Sequence, residues 1–158
     1  MKFTRAVDYG LRALVLMSRQ PPGTRFFLQD LAEKAGLPRN YLVKILKSLA
    51  KHEIVRSHRG IKGGFSLAWE PARVSLREVV EAIDGPITVM HCMTDPESCS
   101  HAGNCAIDVT LGELRERIVD ELQGKTLGDL LRLQEQIDAG NCPGVAGRCA
   151  STEAVKKD

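Results

Sequence analysis

The five cysteines are the residues of this 158-residue chain whose type and spacing most directly indicate chemistry. Cys92, Cys99 and Cys105 lie close together, separated by six and then five residues, whereas Cys142 and Cys149 lie near the C-terminal end. Thiolates ligate soft metals, exchange disulfides and act as nucleophiles. The first three cysteines therefore predict a site of metal or redox chemistry.

The spacing of these three cysteines excludes the commonest zinc motifs, because zinc fingers and ribbons carry CxxC pairs. Three thiolates are also one short of the four protein ligands typical of an iron–sulfur cluster. Their neighbours are Ser, His, Asp, Glu and Asn, whereas incidental cysteines are usually buried among apolar side chains. The residues alone leave three incidental thiols and a disulfide-forming redox switch open as alternatives to a metal site.

The composition argues against a membrane protein and against an enzyme. The longest uncharged apolar stretch near the start, residues 13–17, is too short for a secretion signal or a membrane span. We therefore expect a cytoplasmic protein, in which structural disulfides are uncommon. No nucleophile–base pair, phosphate-binding loop or carboxylate dyad stands out, so neither catalysis nor a small-molecule substrate is expected.

The net charge of +2 hides two oppositely charged halves. Residues 1–62 contain 13 Lys and Arg against four Asp and Glu, a net charge of +9, and the remainder has nine against 16, a net charge of −7. All five cysteines fall in the acidic half. Such a split predicts one part that binds a polyanion and another part with a separate task.

Hydrophobic spacing in the basic half predicts three helices. Thr4 caps the first, and the second spans residues 27–35 with Gly36 as its left-handed C-terminal residue. The third spans residues 39–52 and turns its apolar side inward. Its predicted core residues are Leu42, Ile45, Leu46 and Leu49.

The next segments predict a β-hairpin and a fourth helix. Two short apolar stretches, 54–57 and 65–68, flank a basic, glycine-rich tip. Ser75 and Glu78 then form a capping box that opens a helix over residues 76–83.

The acidic half predicts two further helices, over residues 106–122 and 126–137. Apolar residues of the longer one form a stripe suited to a partner helix, although packing against the same chain fits the periodicity as well. The stripe consists of Ile107, Leu111, Leu114, Ile118 and Leu122. We expect residues 139–158 to form a poorly ordered tail with two dispensable thiols, Cys142 and Cys149; metal binding, a disulfide or replacement of a metal ligand are the alternatives.

Two short helices joined by a glycine turn form a helix-turn-helix pattern, which any αα-hairpin can imitate. The basic hairpin that follows favours a mainly α fold: a winged helix-turn-helix with a small β-hairpin wing, plus a long dimerisation helix. The second helix of the motif would enter the major groove, and the wing would contact the backbone or minor groove. For any single side chain, a solvated charged surface is the alternative. The predicted DNA contacts are Arg39, Asn40, Tyr41, Lys44, Arg59, Gly60 and Lys62.

Four segments and the three cysteines resemble the winged-helix transcriptional regulators of the IscR, NsrR and RirA type over residues 1–131. The segments are MKFTRAVDY at the start, LAEKAGLPRNYL at 31–42, RGIKGGFSL at 59–67 and TLGDL at 126–130. The resemblance implies a homodimeric regulator, which we interpret as a repressor, bound to an imperfect palindromic operator in double-stranded DNA. It also implies one iron–sulfur cluster per subunit, of the two-iron or four-iron type, held by Cys92, Cys99 and Cys105.

The fourth cluster ligand differs among members of this family. IscR-like members place a histidine three residues after the last cysteine, and this chain has Asp108 there. NsrR-like members use an aspartate near the N-terminus of the partner subunit, and Asp8 stands at the matching position. We therefore predict Asp8 in trans, with Asp108, His101 and His91 as alternatives. An exchangeable oxygen ligand suits a sensor of nitric oxide, oxygen or iron status.

These expectations divide the chain into four parts. They are a DNA-binding domain over 1–85, a cysteine-rich cluster-binding loop over 86–105, dimerisation helices over 106–138 and a flexible tail over 139–158. The functional alternative is a cluster-free regulator of the same fold that responds to cysteine metabolism, a partner protein or thiol oxidation.

Overall fold

The computed structural model describes residues 3–60, 63–93, 95, 97, 99–101 and 104–141. Over these residues the chain forms six α-helices and one two-stranded antiparallel sheet, which confirms the mainly α fold with a β-hairpin. In chain order the elements are α1 (Arg5–Ser18), α2 (Leu28–Ala35), α3 (Arg39–Lys51), β1 (Val55–His58), β2 (Gly64–Leu67), α4 (Leu76–Asp84), α5 (Ala106–Gln123) and α6 (Leu127–Asp138).

Helix α1 begins where the capping residue predicts. The hydroxyl oxygen of Thr4 accepts a hydrogen bond of 3.4 Å from the amide of Val7. The same hydroxyl donates to a carboxylate oxygen of Asp84 at 2.6 Å. The start of α1 is therefore joined to the end of α4, the last helix before the cysteine segment.

Helices α2 and α3 form the helix-turn-helix. Gly36 follows α2 with φ 64°, the left-handed conformation that its position in the sequence predicts. The inward side of α3 is also confirmed, because all four of its predicted core residues are buried. They pack with α1 and α2 in the main hydrophobic core, which includes Ala13, Leu14, Met17 and Leu31.

The hairpin β1–β2 is displaced by one residue from each predicted strand, and His58 pairs with Gly64 at its outer end. It is anchored beyond its own two strands, since Phe26 and Phe65 exchange two backbone hydrogen bonds of 2.8 and 2.9 Å. Only glycine fits at position 64, because a Cβ there would lie 2.4 Å from the carbonyl oxygen of Phe26. The wing is thus tied to the connection between α1 and α2.

Capping boxes open both α4 and α6. The predicted box is confirmed: the amide of Glu78 donates to the hydroxyl of Ser75 at 3.2 Å, and the Ser75 amide donates to the Glu78 carboxylate at 2.8 Å. A second box of the same kind, between Thr126 and Asp129, was not among the predicted features.

The two capped helix starts lie side by side. The amide of Leu76 donates to the carbonyl of Lys125 at 2.8 Å, and the amide of Leu127 donates to the carbonyl of Val74 at 2.9 Å. Leu127 is fully buried in the main core. Helix α6 therefore completes the core built by the first three helices.

Helix α5 packs against its own chain with part of the predicted apolar stripe, Ile118 and Leu122. Its buried residue is Val119, which is not part of the stripe, whereas Ile107 and Leu114 of the stripe are 59% and 47% exposed. The first turns of the helix line the cysteine cavity. Val119 joins a second, smaller core whose other members are Val7, Val80 and Ile87.

Candidate functional site

The first turns of α3 present the predicted DNA-contacting side chains to solvent. Arg39, Asn40 and Lys44 are exposed, and Tyr41 is 41% exposed. Neither Arg39 nor Lys44 forms an ion pair with any residue that the structure describes, so both charges are available to an anion. No side-chain hydrogen bond caps the helix at Pro38, which leaves its first amide groups free to face phosphate oxygens.

Tyr41 is held from one side by Tyr9 of α1. The ring centroids are 5.7 Å apart and the ring planes are inclined by 87°, an edge-to-face arrangement that aromatic pairs prefer. Within the described part of the chain, the hydroxyl of Tyr41 makes no hydrogen bond. The ring is thus oriented by the protein while its hydroxyl remains available to a partner.

The tip of the wing carries the other predicted contacts. Arg59 and Gly60 are exposed there, and Gly60 has φ 94° at a turn closed by a 2.8 Å hydrogen bond from the amide of Gly63 to the Gly60 carbonyl. Arg59 makes no ion pair with the described residues. Lys62 lies outside the described residues.

Two contacts that sequence reasoning missed stabilise the wing. Nε2 of His58 lies 2.8 Å from the hydroxyl of Ser66, a fully buried residue on the opposite strand. Nε1 of Trp69 donates to the backbone carbonyl of Glu53 at 3.1 Å. The first contact joins the two strands to each other, and the second joins the hairpin to the residues that follow α3. No local sequence pattern indicates either contact.

Cys92, Cys99 and Cys105 line one open cavity at the start of α5. Its volume is about 680 Å³, and each of the three thiols is half-buried. The chain after α4 forms one wall, and the first turns of α5 form the other. Besides the cysteines, the lining includes Thr88, Met90, His101, Asp108, Arg115 and Glu116.

The surroundings of Cys92 raise the pKa of its thiol above the ordinary value. Partial burial is the largest cause, followed by the carboxylate of Asp108, and the thiols of Cys99 and Cys105 add to it. These groups therefore lie within electrostatic reach of one another. A cation bound among them would offset the repulsion from the neighbouring groups and favour the thiolate form.

The candidates for a fourth ligand lie in two places. Asp108 and His101 line the cysteine cavity. Asp8 lies on α1, where its half-exposed side chain forms an ion pair of 2.9 Å with Arg12. The structure does not describe the side chain of His91. Across the described residues, no three His, Cys, Asp or Glu side chains converge closely enough to hold a metal ion.

Arg115 is a residue of the cavity that sequence reasoning did not identify. Its Nε donates a hydrogen bond of 2.7 Å to the carbonyl oxygen of Ile87, and its guanidinium also pairs with Glu116. Ile87 is buried in the second core. Arg115 therefore joins the two walls of the cysteine cavity. A lone arginine in a charged helix gives no signal of this contact in the sequence.

Two apolar surfaces are uncovered among the residues that the structure describes. One lies on α5, where Ile107 and Leu114 share a face and are exposed. The other is a groove of about 340 Å³ between α1 and α6, where Leu133 and Ile137 are partly exposed and Asp8 lies at the edge.

Cys142 and Cys149, the two C-terminal thiols, lie outside the described residues. Among the helices that the structure describes, none combines the length and apolar character needed to cross a bilayer.

Solved structures with the same architecture include regulators of two kinds. CymR (YrzC), described as the global cysteine regulator of B. subtilis, has 23% sequence identity and a TM-score of 0.67; the match covers 84% of this chain and 97% of that chain. The oxidised form of Staphylococcus aureus CymR has 24% sequence identity and a TM-score of 0.64; the match covers 83% of this chain and 96% of that chain. IscR of T. potens has 23% sequence identity and a TM-score of 0.65; the match covers 87% of this chain and 90% of that chain. At these identities the likeness establishes the winged-helix fold.

The sequence itself matches a known family over most of its length. Residues 3–133, from α1 to the middle of α6, match the family described as Iron-dependent Transcriptional regulator, or Rrf2. This span contains the helix-turn-helix, the wing, the cysteine cavity and α5. The chain therefore belongs to the Rrf2 family of transcriptional regulators, whose members bind DNA.

Proposed function

We propose that the protein is a homodimeric, cytoplasmic repressor whose affinity for an operator depends on an iron–sulfur cluster. In this proposal α3 reads the major groove, the wing contacts the backbone or minor groove, and the cysteine cavity holds the cluster. The DNA-contacting residues are Arg39, Asn40, Tyr41, Lys44, Arg59, Gly60 and Lys62. The signal is a change in nitric oxide, oxygen or iron status.

The observation that carries the proposal is that three cysteines line one cavity. Cys92, Cys99 and Cys105 are the donor type that iron–sulfur clusters require, and all three line the same half-buried space. A bound cation would displace the thiol protons into solvent, and its positive charge would offset the repulsion from Asp108, Cys99 and Cys105 that helps to raise the pKa of Cys92. The residues present therefore fit such a group.

We assign the fourth ligand to Asp8 of the partner subunit. Asp8 is half-exposed on α1, and among the described residues its ion pair is with the exposed side chain of Arg12, so one side of its carboxylate is accessible to a second copy. The cluster supplies redox and ligand-exchange chemistry when bound. The cysteines hold it in one subunit, and an aspartate from the other subunit makes its retention depend on the mutual position of the two chains.

The uncovered apolar surfaces support the homodimer. Ile107 and Leu114 on α5 are exposed, and contact with a second subunit would bury them. The groove between α1 and α6, next to Asp8, is a second apolar surface. A two-fold axis would bring each α1 close to the other subunit's cavity. It also predicts operator half-sites about one helical turn apart, or a multiple of it.

The cluster assignment is tested by purifying the protein without oxygen and measuring iron, acid-labile sulfide and the visible spectrum. We expect a coloured protein with all three signals, and their loss in a Cys92→Ala, Cys99→Ala, Cys105→Ala variant. Operator binding should differ between the cluster-loaded and cluster-free forms. A colourless, iron-free wild-type protein that still binds its operator under regulation would contradict the assignment.

A cluster-free thiol regulator of the same fold is the second candidate. It is favoured by the likeness to CymR, and by the absence of a converged metal-ligand set among the described residues. In that case oxidation should form disulfides among the three cavity cysteines and alter operator affinity in protein that holds no iron. Mass spectrometry of the iron-free protein, before and after a mild oxidant, distinguishes the two candidates.

A further inference from the structure

The contact between Tyr9 and Tyr41 links α1 to the start of the recognition helix α3. Tyr41 is only partly covered, and within the described residues its hydroxyl has no hydrogen-bond partner. The edge of one ring meets the face of the other at a centroid distance of 5.7 Å. Such a contact favours one ring orientation by about two- to tenfold over others, so Tyr9 determines how Tyr41 is presented.

Helix α1 is seated directly on α3 next to this contact. A Cβ at Gly10 would lie 3.2 Å from Cγ2 of Ile45 and 2.4 Å from Cδ1 of Ile83. The backbone of α1 therefore lies against the side chains of both α3 and α4. Because the backbone of α1 contacts these side chains directly, a displacement of α1 would be transmitted to α3 in the turn that carries Tyr9.

Asp8 precedes Tyr9 on the same helix and points elsewhere. Successive side chains on an α-helix are about 100° apart, so the two residues present different faces. Asp8 reaches Arg12 at the groove between α1 and α6, while Tyr9 reaches Tyr41. One turn of α1 thus carries both the proposed cluster ligand and the contact to the recognition helix.

We infer that Tyr9 is a positioning residue for DNA binding: its ring orients Tyr41 on the DNA-facing end of α3 and joins that end to the helix that carries Asp8. The inference rests on the proposed function and names the contact through which α1 acts on the recognition helix. When Asp8 engages the partner subunit, α1 is drawn with it, and the angle between the two rings changes. Tyr9 itself does not touch DNA.

A double-mutant cycle with the full-length dimer tests the inference. The probe is a duplex selected by the wild-type protein from a random-sequence pool, and affinities are measured for Tyr9→Leu, Tyr41→Ala and the double variant. We expect Tyr9→Leu to weaken binding about three- to tenfold, and to have no further effect when Tyr41 is already alanine. Tyr9→Phe, which keeps the ring, should restore binding to within about twofold.

Ala13→Gly is the matched control for general loosening of α1, because Ala13 is a buried residue of the same helix and glycine weakens a helix interior. It should lower the unfolding temperature yet keep affinity within about twofold. Equal penalties from Ala13→Gly and Tyr9→Leu, or additive penalties in the double variant, overturn the inference without affecting the assignment of the recognition helix. If Tyr41→Ala leaves affinity unchanged, both the assignment of α3 as the recognition helix and the inference about Tyr9 are wrong.

The link to Asp8 has its own readout. In wild-type protein we expect the cluster-loaded and cluster-free forms to differ in affinity for the selected duplex. In Tyr9→Leu, with the same iron and sulfide content, this ratio should shrink toward one. A ratio equal to that of the wild type would separate Tyr9 from the cluster and overturn this part of the inference.

Discussion

The guanidinium of Arg115 reaches from α5 to the backbone of Ile87, where Nε donates a hydrogen bond of 2.7 Å to the carbonyl oxygen. The bond crosses the cysteine cavity from one wall to the other. Its acceptor belongs to a buried residue that shares a core with Val7 of α1 and Val119 of α5. The shape of the cavity is therefore coupled to the packing of the DNA-binding helices.

Replacing Arg115 with alanine should destabilise the protein and reduce its retention of iron. The carbonyl of Ile87 would lose a charged donor, and an unsatisfied buried acceptor costs about 1–3 kcal/mol. Thermal unfolding and the iron content after gel filtration measure the two effects. Arg117→Ala is the matched control, because Arg117 is an exposed arginine of the same helix; it should change stability by less than about 0.5 kcal/mol. Equal effects of the two substitutions would refute the role of the bond.

Mixed dimers should reveal whether Asp8 acts across the interface. One subunit carries Asp8→Ala, and the other carries Cys92→Ala with Cys99→Ala. If the ligand comes from the partner subunit, the mixed dimer contains one complete site, whereas neither parental homodimer contains any. We expect co-expressed, differently tagged subunits to regain about half of the wild-type visible absorption. Asp108→Ala in both subunits should leave the spectrum unchanged; loss of the signal there, with no rescue in the mixed dimer, would reassign the ligand to Asp108.

Arg59 should contribute a phosphate or groove contact. Its charge is exposed at the wing tip and has no partner among the described residues, so Arg59→Ala should weaken operator binding. Loss of one phosphate contact also lowers the slope of log K against log salt concentration by about one. Titrations at several salt concentrations measure both quantities. Arg73→Ala serves as the control, and an unchanged slope for Arg59→Ala would remove the wing tip from the phosphate contacts.

The capping box of α6 predicts a specific acid dependence of stability. Hydrogen bonds from the hydroxyl and amide of Thr126 lower the pKa of Asp129, and Arg132 lowers it further. A lowered folded-state pKa contributes stability that is present above the ordinary aspartate pKa of about 4 and is lost as the pH falls through the folded-state value. Asp129→Asn should therefore be less stable than wild type near neutral pH, with the difference shrinking below about pH 4. A difference in unfolding temperature that does not change with pH would contradict this.

Two glycines should respond to alanine with opposite signs. At Gly64 the backbone has φ 152° and a Cβ would meet the Phe26 carbonyl at 2.4 Å, so Gly64→Ala should cost about 1–3 kcal/mol and weaken operator binding. At Gly112, within α5, a Cβ meets open space, and alanine should stabilise the helix by about 0.5–1 kcal/mol. Denaturant unfolding of the two variants checks both signs; a neutral Gly64→Ala would show that the strand moves away from Phe26 at little cost.

Local features of the fold could be predicted from the sequence because they depend on neighbouring residues. The cap at Thr4, the capping box at Ser75 and the left-handed Gly36 each follow from the chemistry of one turn. The buried side of α3 follows from its 3.6-residue period.

Features that depend on distant parts of the chain could not be predicted in this way. The period of α5 identifies an apolar stripe, yet it does not show that Val119, outside the stripe, becomes buried together with only part of the stripe. The bond from Arg115 to Ile87 joins residues 28 positions apart and has no local pattern. For the candidate site, the sequence identified the three cysteines, while their shared cavity depends on how α4 and α5 pack.

The paired starts of α4 and α6 have a practical consequence for protein engineering. Cutting the chain after α4 would remove Leu127 from the main core and leave the amide of Leu76 and the carbonyl of Val74 without their partners. The winged helix therefore cannot be transferred by itself, although the proposed DNA-contacting residues all precede position 63. A chimera that joins this winged helix to another sensor domain must therefore include α6, or a substitute that forms hydrogen bonds with the same two backbone groups.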